Sequence, residues 1–283
     1  MNNHRGSETQ RSKSTCSVPP WLCGLWLSVS LCLCGSTASA QAPLPKPEAA
    51  PASADLLSSY NFHLSADALN IDDPRFSWQT HFGGDFDLVD YVKGRANILI
   101  DYEAVLGDQL RLFDPNQGNY TLEASGSARV NGTEVAGVLH HVSRHLSDRP
   151  KDFAIAWNVL GVRVLRQASA AGVAMELQGS AGKVIERAFV DYAWTADADV
   201  VLRRPIAPRV GVFAHGFGQL IGVDHAIAGR DARQGGRLEG GVRLNGRGGA
   251  VELFAGLERR IDADPVDGLS QRWLFAGFRF VSR

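Results

Sequence analysis

Beyond residue 34 the chain contains no cysteine: all four (Cys16, Cys23, Cys32 and Cys34) lie near the N-terminus. Disulfides are therefore excluded from whatever folds downstream, and an exported chain without them must hold together through its sheet. Net charge is lacking as well, because Lys+Arg 29 against Asp+Glu 30 leave −1. No strong field favours nucleic acid, and none is expected as a partner. Although 45% of residues are hydrophobic, no long apolar run follows residue 40. A spanning helix needs about 20 such residues, so an ordinary multi-helix membrane protein is excluded. No stretch shows a 3.6-residue apolar period with caps, which removes helices from the reading after Arg95.

The N-terminus is informative. Arg5, Arg11 and Lys13 precede an apolar core over residues 21–34, and Ala38-Ser39-Ala40 supplies a small-x-small cleavage site. Residues 1–40 read as a secretory signal. The large Leu31 and Leu33 before Cys32 and Cys34 argue against a lipoprotein. Residues 41–57 are rich in Pro and Ala and read as a flexible spacer. Residues 58–94 carry no decisive pattern; the stretch 76–82 reads equally as a strand or as an amphipathic rim segment. A cysteine-free exported chain suits a bacterial envelope better than a eukaryotic secretory route.

What the chain has in quantity is alternation. Tyr120, Leu122, Ala124, Gly126, Ala128 and Val130 are apolar or small, and Thr121, Glu123, Ser125, Ser127 and Arg129 between them are polar. A period of two gives a strand with one apolar and one wet face. Asn131-Gly132 then supplies the best dipeptide for a type I′ hairpin turn. The pattern recurs in residues 95–104, 153–166, 173–178, 187–194, 210–223, 237–244, 251–258 and 274–280. The polar faces carry Glu123, Arg129, Arg163, Glu176, Asp191, Arg237, Glu239, Arg243, Glu252 and Glu258. Burying so many ions in a dry core costs several kcal/mol each. They fit a wet or ion-paired lumen, with the apolar face turned to lipid.

The expected fold is all-β: a single antiparallel outer-membrane β-barrel over residues 95–283, of about ten strands, or twelve if residues 58–83 supply two more. Turns at Asn131-Gly132, residues 168–172 and Asn245-Gly246 belong on the periplasmic side. Loops at 145–152, 224–234 and 261–270 belong outside. Outer-membrane lipid is the expected surrounding. The C-terminal aromatics Phe278 and Phe280 resemble the signal read by bacterial barrel-assembly machinery, although the chain runs on to Arg283.

The chemistry-bearing block is His140-His141-Val142-Ser143-Arg144-His145, followed by Ser147-Asp148. Residues i and i+2 of a strand share a face, so His141 and Ser143 point the same way. A histidine beside a serine can act as its general base, given an acid to orient it, for which Asp148 and Asp152 are nearest. His145 adds a third group, and such a cluster could instead hold a metal. Polar rim residues at a strand end have this composition too. His215 among glycines reads as a lumen residue.

The block and its barrel resemble an uncharacterised family of bacterial outer-membrane barrel proteins. His141-Val142-Ser143 also resembles the His-x-Ser pair of outer-membrane lipid A 3-O-deacylases, in which His, Ser and a downstream Glu form a triad on the lipid-facing wall. That resemblance implies a hydrolase using His141 and Ser143. Two departures stand against it: Arg144 replaces an asparagine, and no Glu occupies the downstream position. Three roles are left open: an envelope barrel with a structural or small-solute role, a lipid-modifying hydrolase, and a soluble secreted β-barrel that binds a ligand inside. No cofactor is implied, and a lumen packed with charged pairs predicts no large-solute pore.

Overall fold

A computed structural model of the chain describes residues 49–282. The expected signal segment and residues 41–48 of the expected spacer lie outside the described residues. Twelve strands follow one another: β1 (Asp55–Asn70), β2 (Trp78–Asp90), β3 (Arg95–Gly107), β4 (Asp114–Val130), β5 (Thr133–Leu146), β6 (Ile155–Ala170), β7 (Val173–Ala188), β8 (Tyr192–Ala207), β9 (Val210–Val223), β10 (Arg233–Asn245), β11 (Gly249–Asp264) and β12 (Leu269–Ser282). Each pairs antiparallel with its neighbours in sequence, and β1 closes on β12. The strand number is thus the higher of the two expected. Residues 58–94, which the sequence leaves unassigned, provide most of β1 and β2.

The two faces sort as the alternation requires. Tyr120 and Leu122 are 47% and 46% exposed on the perimeter, whereas Glu123 between β4's apolar positions is 4% exposed in the lumen. Ile100, Leu139, Leu160, Val162, Leu238, Leu253 and Leu274 likewise point out. In water such a perimeter would be a severe aggregation hazard; against acyl chains it is the matched solvent. This rules out the soluble ligand-binding barrel. Closure leaves no sheet edge unpaired, as a backbone in lipid requires.

The lumen is filled. Arg237 bonds to Asp67, Glu239 and Glu258, Arg279 to Glu239 and Glu252, Arg260 to Glu258 and Glu103, and Arg163 to Glu123. Buried charges persist because each meets opposite charge. Aromatic rings intervene: the Arg237 guanidinium lies 3.7 Å from the centroid of Phe275. Room for that ring comes from Gly256, where a Cβ would approach it to 2.6 Å. A cavity of about 110 Å³ is lined by Asp101, Glu123, Arg163 and Asp197 among others, space for a few waters.

The connections define two ends. Residues 91–94, Asn131-Gly132, Ala171-Gly172, 208–209 and 246–248 form short turns at one end. Asn131 and Gly132 have φ of 51° and 73°, the paired left-handed geometry expected of a type I′ turn. At the other end lie residues 71–77, 108–113, 147–154, 189–191, 224–232 and 265–268. The short turns mark the periplasmic side. One expectation needs correction: residues 187–194 do not form one alternating run. The connection at 189–191 breaks it, and Tyr192 turns into the lumen, where its hydroxyl donates to Asp262 Oδ2 at 2.8 Å.

Candidate functional site on the outer wall

In β5 the even residues Glu134, Ala136 and Val138 are buried, and Val135 and Leu139 are exposed. The same parity divides the histidine block. His140 faces the lumen and bonds to Glu123 Oε2 at 3.0 Å. His141, Ser143 and His145 form a row on the outer wall. Arg144, between the last two, points inward and donates to the carbonyls of Asp262 and Ala263 at 2.6 and 3.0 Å and to Gln117 Oε1 at 2.8 Å. That strut pins the outward row to the irregular end of β11.

Register supplies the row's partners. His141 lies opposite Leu122 on β4 and Asn158 on β6; Ser143 lies opposite Tyr120 and Ala156. His141 Nδ1 donates to Asn158 Oδ1 at 2.7 Å. Asn158 Nδ2 in turn donates to Glu186 Oε2 on β7, also at 2.7 Å. Ser143 Oγ and His145 Nε2 are 3.0 Å apart, and the His145 ring stands edge-on to Tyr120 at 5.3 Å. Tyr120 packs on Tyr102 with centroids 5.0 Å apart. Trp78, Tyr102, Tyr120 and Trp194 stand outward near the long-loop end, where an aromatic girdle marks the membrane interface.

The other predicted residue lies elsewhere. Asp148 is in the loop after β5, where its carboxylate takes a bond from Asn116 Nδ2 at 3.3 Å and faces Arg149 at 3.4 Å. The group that meets His141 is Asn158, a residue that sequence proximity does not point to. The available signal is its parity: polar Asn158 occupies the outward row of β6 that otherwise holds Leu160, Val162 and Val164. Among the described residues no group of three or more His, Cys, Asp or Glu side chains is placed to hold a metal ion. His215 is in the lumen, 2.6 Å from Asp199.

No protein-family model matches the chain, and no curated protein matches it. Solved structures resemble it in fold. Outer membrane phospholipase A from Escherichia coli aligns at a TM-score of 0.47 and 10% identity, covering 78% of this chain and 92% of that one. Omp33, an outer membrane protein of Acinetobacter baumannii, aligns at 0.38 and 10%, covering 79% and 97%. OmpT, an outer membrane protein of Vibrio cholerae, aligns at 0.38 and 8%, covering 81% and 97%. The apolar perimeter, charged lumen, closed sheet and two unequal ends settle the architecture. This is an outer-membrane β-barrel. In this outer-membrane β-barrel the row His141, Ser143 and His145 is thus on the perimeter, and His140 and Arg144 between them point into the lumen.

Proposed function

We propose that this barrel is an outer-membrane acyl-ester hydrolase in which Ser143 is the nucleophile, His141 the general base and Asn158 the group that orients the base. The observation that carries the reading is the 2.7 Å bond between His141 and Asn158, with Ser143 two residues after His141 on the same face of β5. A Ser-His-Asn set serves the same logic as Ser-His-Asp, since an amide oxygen can hold the Nδ1–H. His141 Nε2 takes the hydroxyl proton as Ser143 Oγ attacks the ester carbonyl. The alcohol leaves with that proton, and the acyl chain stays on Ser143. Water, deprotonated by the same imidazole, then releases the fatty acid and restores the serine. His145 holds the Ser143 hydroxyl at rest, and His141 receives it after a χ1 rotation.

Depth favours a membrane lipid as substrate. Ser143 is in register with Tyr120 of the interfacial girdle, the level at which acyl esters lie beneath their headgroups. Phospholipids and lipid A both place such esters there. Export through a cleavage at Ala38-Ser39-Ala40 and insertion by barrel-assembly machinery belong to the same reading. The test is expression of the wild type and of Ser143→Ala in a bacterial outer membrane, followed by mass spectrometry of the lipids. Acyl loss with the wild type and none with Ser143→Ala is expected; lysophospholipid identifies one source and under-acylated lipid A the other. Identical lipids in both strains would leave the barrel with a structural role and discard the hydrolase.

A further inference from the structure

Glu186 is a carboxylate on the wrong side of its strand. Along β7 the even positions face inward: Glu176 pairs with Arg203, Ser180 bonds to Asp197, and Val184 is buried. Continued alternation would put Glu186 in the lumen. Instead the pairing slips, with Val159 opposite Val184 but Asn158 opposite Glu186. Ile185 is the extra residue of a β-bulge and is 53% exposed. After it the parity inverts: Glu186 is outside, and Arg187 points in and donates to the Tyr192 carbonyl at 2.6 Å. Bulges re-aim side chains beside functional sites, and a carboxylate facing lipid is unfavourable unless something uses it.

We propose that Glu186 is a positioning residue for the hydrolase, acting on His141 through Asn158; this rests on the reading of Ser143 and His141 given above. An ionised carboxylate only accepts hydrogen bonds, so Glu186 obliges Asn158 to present its NH2 to it and its carbonyl oxygen to His141. An amide oxygen only accepts, so His141 keeps its proton on Nδ1 and leaves Nε2 bare for the Ser143 hydroxyl. When that proton arrives, the imidazolium is stabilised by the Asn158 dipole and by the negative charge behind it. Glu186 therefore has two separable effects, the fixing of a tautomer and the supply of a charge.

Two variants divide them. Glu186→Gln can still accept from Asn158 but carries no charge; Glu186→Leu does neither. The purified barrel in detergent micelles, with heat-modifiable gel mobility as the check of folding, is assayed with a short-chain acyl ester, and 15N-histidine spectra report the His141 tautomer. Glu186→Gln is expected to keep the Nδ1–H tautomer, to lose about tenfold in kcat/KM from the missing charge, and to change the pH profile. Glu186→Leu is expected to mix the tautomers and lose more, and Glu186→Asp to recover part of the rate. Wild-type tautomer, rate and pH profile in Glu186→Leu would overturn the role of Glu186 while leaving the hydrolase intact. Full activity in Ser143→Ala would overturn the hydrolase itself, and this role with it.

Discussion

Asn158 is the residue whose removal tests the orienting step of the proposed chemistry most directly. Its amide receives one bond from His141 and donates one to Glu186, both 2.7 Å long. Asn158→Ala removes the acceptor that holds the imidazolium formed when Ser143 yields its proton. A hydrogen bond to a charged group contributes about 1.5–3 kcal/mol, and each 1.36 kcal/mol is about tenfold in rate. The expected fall in kcat/KM is therefore roughly 10- to 150-fold. It should appear in kcat, because Asn158 touches the imidazole and the loss is confined to the transition state. Asn158→Asp restores an acceptor but sets it against Glu186, and like charges at that distance keep the variant impaired. Adding Glu186→Gln to Asn158→Asp removes the repulsion and should recover much of the rate. Because triad members act as a unit, Ser143→Ala with Asn158→Ala should be no worse than Ser143→Ala. The assay is ester hydrolysis in mixed micelles by folded barrel. Asn158→Ala at the wild-type rate, or a double variant whose losses multiply, would refute the argument.

Four further expectations can be checked with the same material. His145→Ala should stay within about threefold of the wild type while His141→Ala falls by roughly 10²–10⁴, the contribution of a general base; the opposite ranking would make His145 the base. Glu123→Gln leaves Arg163 without its buried counter-ion and should destabilise the barrel by about 3–5 kcal/mol in urea unfolding. An unchanged midpoint would show that Arg163 finds solvent. In the outer loop over residues 71–77, hydrogen bonds from Arg75 hold the Asp73 carboxyl below its ordinary range, against the opposing push of burial. A depressed carboxyl contributes fully above its ordinary value near 4 and is lost as pH falls through the lowered one. Amide exchange in this loop should thus rise below about pH 4, and Asp73→Asn should show the fast exchange at every pH. Finally, planar-bilayer recordings should show no porin-sized steps, since the Arg237 and Arg279 clusters cross the lumen; such steps would mean the interior opens.

The barrel was legible wherever alternation runs unbroken. Residues 120–130, 237–244, 251–258 and 274–280 needed nothing beyond a period of two, and the Asn131-Gly132 turn nothing beyond its preference for positive φ. Residues 55–90 resisted because bulges interrupt the period, with the register slipping between Leu56 and Ser59 and again between Asp87 and Val89. A slip of one residue exchanges inside for outside, so the ends of these two strands do not continue the pattern of their middles. Tyr192 departs from the pattern because the connection at 189–191 and a register slip between Tyr192 and Trp194 change its side.

The site divides along similar lines. That His141 and Ser143 share a face follows from strand geometry alone, whereas the partners they take, Asn158 for His141 and His145 for Ser143, do not. Asn158 could not be read directly, because its place opposite His141 depends on inter-strand register, which a single sequence does not encode. The nearby Asp148 is carried off by its loop to Asn116 and Arg149. Glu186 was hidden twice, by register and by the bulge that turns it outward.

A hydroxyl mounted on the wall of a barrel meets its reactants sideways. On the proposed reading its lipid substrates arrive by drifting within a fluid two-dimensional sheet, and only the hydrolytic water comes from outside it. Turnover at such a position tracks how crowded with substrate the surrounding leaflet is, as a mole fraction, and is indifferent to how much aqueous volume the cell or the test tube contains. An inert lipid diluent would then act as a competitor without ever touching the serine.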